Sequence, residues 1–144
     1  MSEQNKALSK RFFEAWNARD MDAFDEIFAS DAVDHDAQNP FAELRGPESA
    51  KRFCEMYASG YSDGRFEVHE QIAEGDFVVT RWTGKGTHDG ELMGLPPTGK
   101  SVEVEGIGID RHAGGKIAES WTCWDTLGMM QQLGAIPESQ PTST

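Results

Sequence analysis

A chain of 144 residues with 38% hydrophobic and 26% charged side chains has the make-up of one globular domain large enough to bury a core. Twenty-five acidic against 13 basic residues leave a formal charge of −12, and no basic run exceeds a pair such as Lys10-Arg11, which disfavours nucleic acid and anionic membranes as partners. No apolar stretch approaches the ~20 residues of a membrane helix. The polar start, Met1-Ser2-Glu3-Gln4-Asn5-Lys6, has no signal-peptide core, so a cytoplasmic location is expected. Cys54 and Cys123 form no C-x-x-C and are expected as two buried free thiols. The expected division is a single domain over 1–135 and a Pro-, Ser- and Thr-rich tail over 136–144.

In chain order, Leu8, Phe12, Ala15 and Trp16 recur at helical spacing and predict a helix over 5–17. Asp20 can cap a second short helix carrying Phe24, Ile27 and Phe28. Gly46-Pro47-Glu48 opens a third, with Ala50, Phe53, Cys54 and Tyr57 on its apolar face and Gly60 as its stop. From residue 65 the period changes to two. Two strands then meet at the turn Glu74-Gly75-Asp76 to form a hairpin. Residues 89–100 are rich in Gly and Pro and read as a functional loop. In the strand from Ser101 to His112, Val102 and Val104 lie on one face and Ile107 and Ile109 on the other, so a β-bulge near Glu105-Gly106 is expected to restore one apolar face.

The last strand, from Lys116 to Asp125, alternates Ile117, Glu119, Trp121, Cys123 and Asp125 against Ala118, Ser120, Thr122 and Trp124. A face mixing Glu, Trp and Asp with apolar residues suits the wall of a pocket, so the first set is expected to line one. Helices first and antiparallel strands after are the α+β pattern, with the helices covering one sheet.

Gly115-Lys116-Ile117-Ala118-Glu119-x-Trp121-x-x-x-Asp125-x-Leu127-Gly128-x-x-x-Gln132-Leu133-Gly134 resembles the C-terminal signature of SnoaL-like polyketide cyclases. The run from Gly86-Thr87-His88 to Pro96-Pro97-Thr98-Gly99-Lys100, the segment from Phe12 to Asp20, and Asp34-His35-Asp36 fit the same family in order. The resemblance implies the cone-shaped α+β barrel of the nuclear transport factor two-like superfamily, a curved antiparallel sheet with N-terminal helices enclosing a pocket. It also implies a homodimer or homotetramer and a cofactor-independent acid/base chemistry.

The resemblance marks Asp125 as acid/base residue, although an aspartate just before a helix is also a favoured N-cap. His35 is marked as its catalytic partner, against a plain loop histidine at a strand edge. Trp16, His88, Arg111 and Trp121 are candidate substrate contacts. Against these stand packing for Trp16 and Trp121, a turn cap for His88, and an ion pair with Glu119 for Arg111. His69 and His112 are expected at the surface, and of Arg81 and Trp82 one must face inward. No GxGxxG, P-loop, HExxH or G-x-S-x-G is present, so no cofactor or metal is expected and a small hydrophobic or aromatic substrate is. The implied reaction is an intramolecular aldol ring closure of a polyketide-like ester. The rivals are another acid/base reaction in the same pocket (isomerase, hydroxylase or epoxide hydrolase) and a non-enzymatic binding domain.

Overall fold

The computed structural model describes residues 2–137. Its helices are α1 (Ser2–Ala18), α2 (Met21–Ile27), α3 (Pro47–Gly60) and α4 (Thr126–Gln132). Its strands are β1 (Phe28–Asp34), β2 (Arg65–Glu74), β3 (Phe77–Thr87), β4 (Ser101–Ala113) and β5 (Lys116–Trp124), forming one sheet in the order β1-β5-β4-β3-β2. From residue 138 on, the expected tail lies outside the described residues.

Local chemistry sets the helix boundaries. The Asp20 carboxylate accepts the Ala23 N–H at 3.3 Å and starts α2. Gly46 precedes α3 with φ +73°, and a Cβ there would lie 2.5 Å from the Ser30 carbonyl oxygen, so this entry requires glycine. Pro47 follows at the first turn, where its missing N–H costs nothing. The buried face of α1 carries Ser9, Phe13, Ala15 and Trp16. Phe12 joins the aromatic layer, edge-on to Phe13 at 5.1 Å and to Phe28 at 5.7 Å. Each such pair adds about 0.5–1.5 kcal/mol beyond its burial.

The sheet differs from expectation in two ways. It is mixed, because β1 runs parallel to β5, whereas a wholly antiparallel sheet was expected. The sequence Phe-Ala-Ser-Asp-Ala-Val-Asp shows no clean alternation, and its register with β5 slips between Phe28 and Val33. The second difference matters more. No bulge occurs at Glu105-Gly106: β3 and β4 pair without a break from Phe77–Arg111 to Thr87–Ser101. Val102, Val104 and Gly106 point inward, and Ile107 and Ile109 stand exposed on the outer face.

The slip lies one strand later. Arg111 pairs with Glu119 and His112 with Ile117, so Ala118 is the extra residue. Ile117 therefore shares the inner face with Ser120, Thr122 and Trp124. Glu119, Trp121 and Cys123 turn outward, the reverse of the wall expected from strict alternation. Cys54 is buried as expected, and burial pushes its thiol up to about 12; Cys123 is exposed. No helix among the described residues is long and apolar enough to cross a membrane.

Candidate active site

Between the inner face of the sheet and helices α1 and α3 lies a cavity of roughly 170 Å³. That is small for a ligand site. Phe12, Phe13 and Trp16 from α1, Phe53 and Tyr57 from α3, and Trp82 from β3 give its wall a strong aromatic component. Trp82 is the inward member of its pair; Arg81 turns out and donates to Glu70 at 2.7 Å. The indole of Trp82 has room because its cross-strand partner is Gly106, where a Cβ would meet the ring at 2.3 Å.

Three carboxyls interrupt this apolar lining: Asp34, Asp36 and Asp110. Asp34 is saturated. Its oxygens accept the Asp36 N–H at 2.8 Å, the Asn39 amide at 2.7 Å and the Ser49 hydroxyl at 3.3 Å. Asp36 accepts the Gln38 N–H at 2.9 Å and lies beside the Trp124 indole, whose N–H favours the charged form. Burial outweighs these donors, and with the neighbouring charge of Asp34 it raises Asp36 to about 6.

Asp110 is the least tied of the three. It lies deep in the fold, yet keeps accessible surface because the cavity borders it. Burial is the main force lifting it to about 6, opposed by the Ser9 hydroxyl and helped by the charge of Asp34. Ser9 fills one carboxylate oxygen at 2.7 Å, and no other side-chain donor among the described residues reaches Asp110. A carboxylate with one filled and one free oxygen, near neutral in basicity, is suited to take a proton. Tyr57 supplies a complementary group: burial pushes its phenol far above the ordinary range, so it remains a hydrogen-bond donor at working pH.

Of the expected site residues, Trp16 lines the cavity. The others lie elsewhere. Asp125 caps α4, its carboxylate accepting the Gly128 N–H at 2.8 Å, and is absent from the cavity wall. His35, Arg111 and Trp121 gather on the outer face of the sheet. There the His35 Nε2 meets Glu119 at 2.6 Å, Arg111 donates to Glu119 at 3.0 Å, and the imidazole stacks on Trp121 at 5.1 Å. These two partners hold the Glu119 carboxyl below its usual range. His88 is fully buried under the loop, where its Nδ1 meets the Thr98 hydroxyl at 3.0 Å and accepts the Thr98 N–H at 3.2 Å. That is the turn-capping alternative. The loop itself is tied to α3, with the Asp89 and Gly90 amides both donating to the Gly60 carbonyl at 3.1 Å. His112, expected at the surface, is 4% exposed.

Sequence reasoning missed Asp34, Asp36, Asp110, Tyr57 and Ser9. The signal for the first two was the alternation around His35: if the histidine faces out, both flanking aspartates face in. For Asp110 it was the even-numbered run with Val102 and Val104, set aside by the expectation of a bulge.

A curved sheet backed by helices around an acid-bearing cavity with aromatic walls defines a class of small-molecule sites. Within that class, residues 6–133 match the model of the SnoaL-like polyketide cyclase family, and the chain belongs to it. It is 30% identical over 128 residues to aklanonic acid methyl ester cyclase DnrD of Streptomyces peucetius, covering 88% of each chain. Among solved structures, IdmH of Streptomyces antibioticus, a proposed polyketide cyclase, is 32% identical with a TM-score of 0.79, over 91% of this chain and 99% of that one. AclR of Streptomyces galilaeus, a proposed hydroxylase, is 28% identical with a TM-score of 0.84, over 97% and 87%.

Proposed function

We propose that the chain is a cyclase that closes a ring in a polyketide-type ester by an intramolecular aldol reaction, with Asp110 as the base. The carrying observation is this carboxyl, lifted to about 6 and bordering an aromatic cavity with one oxygen free. The free oxygen takes a proton from a methylene between two carbonyls, and the C–H electron pair becomes an enolate. The enolate carbon attacks a ketone of the same molecule, forming the new C–C bond. The resulting alkoxide recovers the proton from Asp110. The Tyr57 phenol donates to the enolate oxygen, and the aromatic walls hold the two reacting carbons together. Because the methylene is already acidic, the scheme draws on no cofactor. The acid/base roles expected of Asp125 and His35 pass to Asp110 and Tyr57, since neither Asp125 nor His35 borders the cavity.

The test is incubation with aklanonic acid methyl ester, the substrate named for the relatives, and with smaller β-keto esters carrying a remote ketone. Ring closure is followed by chromatography and mass spectrometry. Turnover that Asp110→Asn lowers by ~10²–10⁴-fold supports the reading; turnover that ignores the substitution defeats it. The likeness to AclR favours one second reading, hydroxylation. The two separate cleanly, since cyclisation leaves the product's mass unchanged and hydroxylation adds an oxygen. Binding without turnover would indicate a carrier.

The same proposal includes a homodimer or homotetramer in the cytoplasm. The exposed Ile72, Phe77, Ile107 and Ile109 on the outer sheet face favour self-association, and light scattering reads it directly.

A further inference from the structure

Ser9 and His112 belong to no part of the reaction just described, yet both are buried against its base. Ser9 has no accessible surface and His112 has 4%. The Ser9 hydroxyl lies 2.7 Å from Asp110 Oδ2 and 2.9 Å from His112 Nε2. We propose that these residues form a one-way donor chain, His112 Nε2–H to Ser9 Oγ–H to Asp110 Oδ2, which holds the carboxylate and sets its basicity. This rests on the reading of Asp110 as the base.

The direction of the chain follows from an atom that bonds to nothing. His112 Nδ1 is buried without a hydrogen-bond partner among the described residues. In the neutral Nε2–H tautomer, Nδ1 is an idle acceptor. In the other tautomer, or in the imidazolium, it is a buried N–H with nowhere to donate, and an orphaned buried donor is costly. The Nε2–H form therefore prevails, the serine oxygen accepts from it, and the serine proton goes to Asp110. Charges around the chain do not reverse this. Asp76, from the turn between β2 and β3, is the charge acting on His112 and favours the imidazolium, but burial outweighs it and lowers the imidazole. Asp34, from β1, acts on Asp110 and raises it; the cross-strand neighbours of Asp110, Val78 and Ser120, are uncharged.

Ser9 and His112 are thus positioning residues. They occupy one oxygen of Asp110 and leave the other for the cavity. The Ser9 hydroxyl also offsets part of the upward push of burial on the base.

The experiment is NMR titration of the whole protein, labelled with ¹⁵N at the imidazoles and ¹³C at the aspartate carboxyls. His112 is expected as the neutral Nε2–H tautomer at neutral pH, with its Nε2 resonance moving as Asp110 titrates. Ser9→Ala should raise the Asp110 midpoint by about one pH unit and cut that coupling. His112→Leu should raise it less. His112→Gln, whose amide N–H can stand in for Nε2–H, should restore it. An Nδ1–H tautomer in the unsubstituted protein, or an Asp110 midpoint indifferent to Ser9→Ala, overturns the chain. The titration needs no substrate, so it is readable even if no ester is cyclised. An active cyclase with Nδ1–H His112 would sink the donor chain and spare the reaction.

Discussion

The two faces of β4 and β5 carry similar chemistry to opposite ends. Outside, Glu119 sits between Arg111 and His35 beside Trp121. Inside, Asp110 sits beside Ser9, and Asp36 beside Trp124, with no cation among the described residues bonded to either. The outer carboxyl is held below its usual range by its partners; both inner ones are driven up to about 6 by burial. An acid next to a cation is a settled charge, whereas an acid next to a hydroxyl in an apolar cavity can still exchange its proton.

The contrast breaks most sharply at Asp110. Asp110→Asn should lower kcat/KM for ring closure by ~10²–10⁴-fold, while Glu119→Gln leaves it within a few-fold. In the unsubstituted enzyme, kcat/KM should rise with pH and level off above about 6, the midpoint of the base. Tyr57→Phe should cost roughly 10²-fold in kcat with little change in KM, as expected for a donor engaged chiefly with the enolate.

Stability should move the other way. Asp110 and Asp36 are raised from 3.8 to about 6, so the folded protein holds protons that the unfolded chain has released between those values. Their burial therefore costs nothing in acid and is felt in full above pH 6. Asp110→Asn is expected to stabilise the fold at pH 7.5 by as much as roughly 2–3 kcal/mol, an advantage that shrinks toward pH 4 in denaturant melts. A flat difference across that range would argue against a burdened inner acid.

Smaller effects sharpen the outline. Asp125→Ala should cost about 1 kcal/mol through the lost cap of α4, Asp125→Asn much less, and both should keep the cyclase rate. Arg111→Ala breaks a half-exposed pair and should change stability by no more than ~1 kcal/mol, less in high salt.

The helices were readable because each announces itself locally: Asp20 as a cap, Gly46-Pro47 as an entry, Phe12 and Trp16 as one face. The hairpin at Gly75 was readable for the same reason, although β2 hides a bulge at His69. The site was less legible because it depends on which face each strand residue takes. Asp110 next to Arg111 looks like half of a surface pair, and Arg111 does form one, but with Glu119. Ser9 is one serine on an amphipathic helix, and its role appears only when β4 arrives from 101 residues away.

The irregularity at Ala118 acts on β5 as an inserted letter acts on a reading frame. Relative to strict alternation from Ile117, every side chain after it changes sides. Deleting this one alanine should therefore close the ladder into a regular strand, with Glu119, Trp121 and Cys123 still outside and Ser120, Thr122 and Trp124 still lining the cavity, whereas one further inserted residue paired without a bulge would swap the two sets. The irregularity also means that two relatives can share the tryptophan and aspartate of this segment letter for letter and still present different atoms to a substrate. What decides is the parity of the strand at residue 118, which no motif spells out.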